Sequence, residues 1–191
     1  MSERIRAFVA ILLSEEVRGR VAEEIARLRP LASSVGWVLP GELHLTLKFL
    51  GERAPAELEL VQAGLAEAVE AIPPFTLGFH GLGAFPGLAR PRVFWVGVSA
   101  GALDAKNLHA RVENALAERS IPREDRPFSP HLTIGRARTP GGFPRLREAI
   151  AREAQKEFGS LGVAALSLMR SDLSSAGARY TELRAFPFGG A

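Results

Sequence analysis

The chain contains no cysteine. That absence excludes disulfides, thiolate metal sites and a cysteine nucleophile. Lysine is scarce as well: Lys48, Lys106 and Lys156 are the only ones. Arginine supplies the remaining positive charge, and its planar fork suits phosphate oxygens better than an ammonium does. No apolar run approaches the ~20 residues that a membrane span needs. The run from Ala7 to Leu13 is short and lacks a small-residue cleavage site, so it reads as a buried strand rather than a signal peptide. A cytoplasmic location with no membrane partner is the expectation. Gly-rich dinucleotide fingerprints and triphosphate-binding loops are also missing. There is no low-complexity tail, and Thr139-Pro140-Gly141-Gly142 reads as an exposed connection.

What is present describes a globular protein. The 191 residues are 47% apolar and 24% charged, enough for one substantial core or for two small lobes that share one. Lys plus Arg is 24 against 21 for Asp plus Glu, a net charge of +3. The isoelectric point near 9.9 overstates the imbalance, and so small a surplus does not by itself argue for nucleic acid. Abundant Arg, Pro, Ala and Leu with few lysines fit a GC-rich genome or a hot habitat.

Hydrophobic periodicity predicts alternating strands and helices. Residues Ile5 to Leu13 read as a strand, and Ser14-Glu15-Glu16 opens a helix to about Leu28 with Val17, Val21, Ile25 and Leu28 on one stripe. Short strands are expected over Val35 to Val38 and Leu43 to Phe49, then a helix from Pro55 to about Ala71, ended by Pro73-Pro74. Strands follow near Phe75 to Leu82 and Arg92 to Val98. After them come a helix from Leu103 to Glu118, a strand from Pro130 to Arg136 and a helix from Phe143 to Glu157. Strands near Val163 to Ser171 and Arg179 to Phe186 close the chain.

Within this order one four-residue pattern occurs twice. His44-Leu45-Thr46-Leu47 and His131-Leu132-Thr133-Ile134 each place an imidazole and a hydroxyl at i and i+2, with aliphatics at i+1 and i+3. In a strand that spacing sends His and Thr to one face and the aliphatics to the other. The surroundings repeat too. Phe8 precedes His44 by nearly the separation at which Phe94 precedes His131, and Trp95 and Leu183 follow the two histidines at matching distances. An internal duplication is expected, with strand-helix-motif units at about 5–50 and 92–136 in a single bilobal domain.

Two histidines can divide acid and base duties near neutral pH. Phosphodiester cleavage at ribose 2′,3′ positions suits such a pair, and Thr46 and Thr133 could donate to the non-bridging oxygens, where charge grows. Other readings stay open at this point. Both motifs could be ordinary half-buried strands with polar residues facing solvent. Two histidines could also begin a metal site, with Glu42 sharing the face of His44. Against metal, there is no His-x-x-x-His, and Ser129 stands where a second carboxylate would be wanted. Glu42 therefore reads as a solvated strand-end residue.

HLTLKFLG and HLTIGRAR resemble the paired signatures of the two-histidine phosphoesterase superfamily. Within it the chain is similar to the RNA 2′,3′-cyclic phosphodiesterases, also called 2′-5′ RNA ligases. RAFVAILL, VGWVLPGELHLTLKFLGE and SLMRSDLSSAGARYTELRAFPF extend the likeness over essentially the whole chain. The resemblance implies an α+β fold of two pseudo-symmetric lobes with antiparallel sheets and outer helices around a central cleft. It implies hydrolysis of an RNA-terminal 2′,3′-cyclic phosphate to a 2′-phosphate, with no metal and no other cofactor. Some members of the family join tRNA halves reversibly through 2′-5′ linkages. The expected partner is RNA, and a monomer is expected. Activity on small cyclic nucleotides, or RNA binding without turnover, are the alternatives.

Carried over by position, His44 and His131 are the catalytic pair, and Thr46, Thr133 and Arg136 hold phosphate. Arg136 stands at odd separation from His131, so only a bulge or the strand's end at Gly135 would turn it inward. Lys48 has the right parity, and Phe79 or Phe85 could stack on a base, so Lys48 and Phe79 are candidate substrate contacts. His80 and His109 read as secondary, His109 as solvent-exposed on a helix. Trp37 falls at the cleft edge or in the core.

Overall fold

The computed structural model describes residues 4–139, 143–174 and 177–190. Strand β1 (Ile5–Leu12) is the first apolar run. Helix α1 (Glu15–Leu28) starts where the Ser14 hydroxyl accepts from the Val17 N–H at 3.3 Å, with Glu15 and Glu16 in the positive first turn. Val17, Val21, Ile25 and Leu28 are all buried, as the predicted stripe requires. Pro30 closes the helix into a 3₁₀ turn before β2 (Val35–Trp37), and a second such turn over Pro40–Glu42 leads into β3 (His44–Arg53). Helix α2 (Pro55–Val69), β4 (Phe75–Phe85), β5 (Val93–Val98) and α3 (Ala102–Ala117) follow. The second half continues with β6 (His131–Ala137), α4 (Pro144–Arg152), β7 (Glu157–Val163), β8 (Ala165–Ser174) and β9 (Gly177–Pro187).

One element departs from the predicted order. The helix expected to Glu157 stops at Arg152, and β7 begins at Glu157. Gly159, at φ +96°, shifts the ladder between β4 and β7, and with Gly162 it breaks the alternation that would have announced a strand. The connection at Pro140-Gly141-Gly142 lies outside the described residues.

Among the described residues all strand pairings are antiparallel, in the order β7-β4-β5-β6-β3-β1-β8-β9, with β2 added to β6. The sheet is narrowest in the middle. Strands β3 and β6 pair only at Leu45 opposite Leu132, and β2 takes over the same edge of β6 at Val35 to Trp37. Two lobes therefore meet at the two motifs. Helices α2 and α3 pack on each other and reach β9 and β3, while α1 and α4 pack on β7 and β4. The aliphatics of both motifs, Leu45, Leu47, Leu132 and Ile134, lie fully buried in the main core. A separate small cluster of Phe8, Ala10 and Met169, edged by Tyr180, gathers beside His44.

Candidate active site

Each motif begins a strand, and each ends in the same irregularity. Ala10 pairs with Thr46 but Val9 pairs with Lys48, so Leu47 is an extra residue in β3. Trp95 pairs with Thr133 but Phe94 pairs with Gly135, so Ile134 is the extra residue in β6. A bulge at this point inverts the facing of everything beyond it. Arg136 is exposed and lines the cleft. In β3 the same inversion carries Phe49, 55% exposed, to the cleft. Phe49 and Arg136 are thus equivalent positions of the two units.

The inversion also corrects Lys48. Its side chain is 1% exposed and its ammonium donates to the Glu113 carboxylate and, at 2.9 Å, to the Pro122 carbonyl. Lys48 is buried behind β3, and parity failed because one residue was inserted. Phe79 is corrected as well: it is wholly buried in the main core. Of the two phenylalanines it is Phe85 that meets a motif histidine, its ring edge-on to His131 at 5.0 Å. His109 is not solvent-exposed but stacks flat on Phe128 at 4.3 Å. His80 is half-buried in a pocket beside His131. Trp37 is half-buried, stacked on Phe94 at 6.2 Å, and lines the groove next to Arg136.

The two imidazoles are held alike. His44 Nδ1 lies 2.8 Å from the carbonyl of Glu42, and His131 Nδ1 lies 2.7 Å from the carbonyl of Ser129. A carbonyl only accepts, so Nδ1 carries the proton in each ring and Nε2 keeps its lone pair when neutral. His44 Nε2 accepts from the Thr46 hydroxyl at 3.0 Å. Burial pushes both histidines below the usual imidazole range. The carbonyl bonds oppose this, and the charge of Arg136 adds to it at both. One guanidinium thus acts on both rings.

Glu42 is not the solvated residue expected. It is half-buried in the cleft wall, and one carboxylate oxygen has no hydrogen-bond partner among the described residues. Burial raises its pKa above the ordinary carboxylate range, against the Tyr180 backbone N–H and the charge of Arg179. Tyr180 and Phe8, which sequence reasoning passed over as site residues, flank His44 with ring centroids at 5.1 and 4.7 Å. The only signal for Phe8 was its matched spacing to His44. Tyr180 arrives on β9 by tertiary packing alone.

His44, Thr46, Thr133 and Arg136 line one cavity of about 560 Å³ with Arg6, Phe49 and Tyr180. His131 lines a pocket of about 310 Å³ with Phe85 and Trp95. Because Leu45 is opposite Leu132, the antiparallel register turns His44 toward Thr133 and Thr46 toward His131. The first cavity offers one imidazole, hydroxyl donors and two arginines, and the facing strand adds the second imidazole from the neighbouring pocket, the groups an anionic phosphoester needs. Among the described residues the cluster with cation-site spacing is elsewhere: His109, Glu113 and Glu124 have ligand atoms within 4.8 Å of one another. The Lys48 ammonium already lies against Glu113 there.

A site of this kind, built from a duplicated His-x-Thr strand on a two-lobed antiparallel sheet, defines a two-histidine phosphoesterase. The model of the 2′-5′ RNA ligase superfamily matches residues 17–174, and the chain belongs to that family. It is 36% identical over 189 residues to the RNA 2′,3′-cyclic phosphodiesterase of Aquifex aeolicus, covering 97% of this chain and 98% of that protein. A crystal structure of a Thermus thermophilus protein superposes with a TM-score of 0.78 at 35% identity, over 97% of this chain and 99% of that one. The E. coli LigT structure complexed with 3′-AMP gives a TM-score of 0.79 at 26% identity, with the same coverage.

Proposed function

We propose that the protein hydrolyses RNA-terminal 2′,3′-cyclic phosphates to 2′-phosphates by acid–base catalysis between His44 and His131, without a metal ion. The observation that carries this reading is the mirrored fixing of the two imidazoles, each by its own Nδ1 on a carbonyl two residues earlier. Fixed in this way, both Nε2 atoms are presented for proton transfer. The names of the curated relatives supply the substrate class.

In the proposed step the water oxygen bonds to phosphorus while the bond from phosphorus to the 3′ oxygen breaks. His131 Nε2 takes the water proton, and protonated His44 gives its Nε2 proton to the leaving 3′ oxygen. His131 suits the base because it is the less buried of the two rings and meets water more readily. Thr46, Thr133 and Arg136 hold the non-bridging oxygens, where charge builds in the transition state. The anionic phosphate raises the depressed pKa of the acid once substrate binds, which allows one ring to be protonated near neutrality. If a 5′-hydroxyl of a second RNA, such as a tRNA half, replaces water, the same leaving group yields a 2′-5′ linkage. Ligation therefore requires a second end held at high effective concentration.

The test is an oligoribonucleotide with a 2′,3′-cyclic phosphate, offered with excess chelator to the wild type and to His44→Ala and His131→Ala. A 2′-phosphate made by the wild type alone is expected. A 3′-phosphate would reverse the leaving group, and undiminished turnover in either variant would remove that histidine from the chemistry.

A further inference from the structure

The cavity at the motifs is not closed at its end. Val38, Glu42, Arg136, Ala178 and Tyr180 line both it and a second cavity of about 670 Å³ that runs along β2 and the start of β9. Each volume falls in the roughly 300–1,000 Å³ range of pockets that hold one small ligand. A single terminal nucleotide therefore leaves the second cavity empty.

That extension is cationic. Arg29, Arg136 and Arg138 line it, with Glu42 as its only carboxylate. None of the three arginines has a carboxylate partner among the described residues. Other arginines are neutralised locally, as in Arg4 with Glu57, Arg20 with Glu16, Arg27 with Glu24 and Arg119 with Glu67, but none of these lines the two joined cavities. Arg138 lies across β2, its Nε 3.4 Å from where a Cβ on Gly36 would stand, and so overlies the groove floor. By contrast, the pocket around His131 has no arginine, lysine or carboxylate in its lining. The cleft is cationic on one side only.

A cyclic phosphate uses both the 2′ and the 3′ oxygens of the last ribose. The strand can then continue only through the 5′ oxygen, in one direction. Building on the function proposed above, we infer that the groove along β2 is an RNA-strand subsite. Arg29 and Arg138 take backbone phosphates upstream of the terminal nucleotide, so the preferred substrate is an oligoribonucleotide and not a mononucleotide. Arg136 stands at the junction, between terminal phosphate and strand.

Arg29→Ala/Arg138→Ala tests this against two substrates, a nucleoside 2′,3′-cyclic monophosphate and a hexaribonucleotide with the same end. The wild type should prefer the hexamer in kcat/KM. The double variant should raise KM for the hexamer about tenfold, with kcat and the mononucleotide constants unchanged. The slope of log(kcat/KM) against log[salt] for the hexamer should become shallower by about 0.7 for each phosphate that an arginine no longer neutralises. Equal loss on both substrates, or no loss on either, overturns the subsite. If the wild type turns over neither substrate, the function proposed above fails. Fluorescence anisotropy of a labelled hexaribonucleotide then decides the groove separately, since tenfold weaker binding by the double variant supports it and unchanged binding removes it.

Discussion

In the proposed reaction His44 and His131 are each fixed by a hydrogen bond to the backbone carbonyl two residues earlier. Because each Nδ1 is committed to a carbonyl, neither ring can exchange tautomers without losing that bond, and Nε2 is left for other partners, the Thr46 hydroxyl in the case of His44. Alanine at either histidine should lower kcat/KM by at least roughly 10²-fold. Thr46→Ala or Thr133→Ala, each removing one hydrogen bond to growing charge, should cost about 10–100-fold. Arg136 makes a further test possible. Its charge lowers both imidazoles, so Arg136→Ala should move both titrations to higher pH, read by NMR of the ring protons, and Arg136→Lys should largely restore them. Glu42 makes the opposite contribution. Its pKa is raised by burial, so the folded state binds its proton more readily and the ionised form opposes folding above the ordinary carboxylate range. Glu42→Gln should therefore raise Tm at pH 7–8, with the gain shrinking as pH falls toward 4.5. A Tm that does not rise would show that Arg179 and the Tyr180 N–H compensate its burial fully.

At the scale of the element, the decisive feature is the bulge at the last residue of each motif. It lets one strand present His and Thr, then reverse and present Phe49 or Arg136, while the position between is buried. In β3 that buried position is Lys48, and in β6 it is Gly135. Lys48 is held by Glu113 from α3 and by Pro122 from the loop that leads to the second motif. The same loop is tied to β3 where Glu124 accepts the Phe49 N–H at 3.0 Å. The pair thus ties the first motif strand to the approach of the second. Glu113→Gln leaves a buried ammonium without its counter-ion and should cost about 3–5 kcal/mol in denaturant unfolding. Replacing both partners by Lys48→Met with Glu113→Leu should recover most of that loss, which separates charge burial from packing. Gly135→Ala would set a Cβ 2.8 Å from Val35 Cγ1 and 3.1 Å from the Trp37 ring. Overpacking of about 1–3 kcal/mol is expected, together with displacement of β2 and with it of Arg136.

Across the whole molecule the buried histidines make stability depend on pH. His44, His109 and His131 are all lowered by burial. The unfolded chain therefore binds their protons first, and stability falls as pH drops from about 6.5 through the depressed folded values. Glu42 works against this trend at the acid end of the window. Urea midpoints between pH 7.5 and 5.5 should decline, and each histidine variant should flatten the decline. A midpoint that rises on acidification would contradict the burial of these rings.

Much of the molecule could be read from the chain because its information is local. The stripe on α1, the Ser14 cap and the i, i+2 spacing of each His-x-Thr motif depend only on residues within a few positions of one another, and periodicity reports them directly. The second motif in the other half of the chain also implied that two strands share one task. What lies beyond each motif depends on a partner strand. One extra residue in β3 or β6 is defined only against β1 or β5, so parity assigned Lys48 to the cleft and left Phe49 unnoticed, and the same geometry decided that Arg136 turns inward. Tyr180 reaches His44, and Glu42 is half-buried in the cleft wall, because β9 folds back beside β8 and α1 leads the chain away before β2 returns on β6. Pairings between residues so distant in sequence leave no periodic trace, since the hydrogen-bond ladder that sets them is made by backbone and not by side-chain identity.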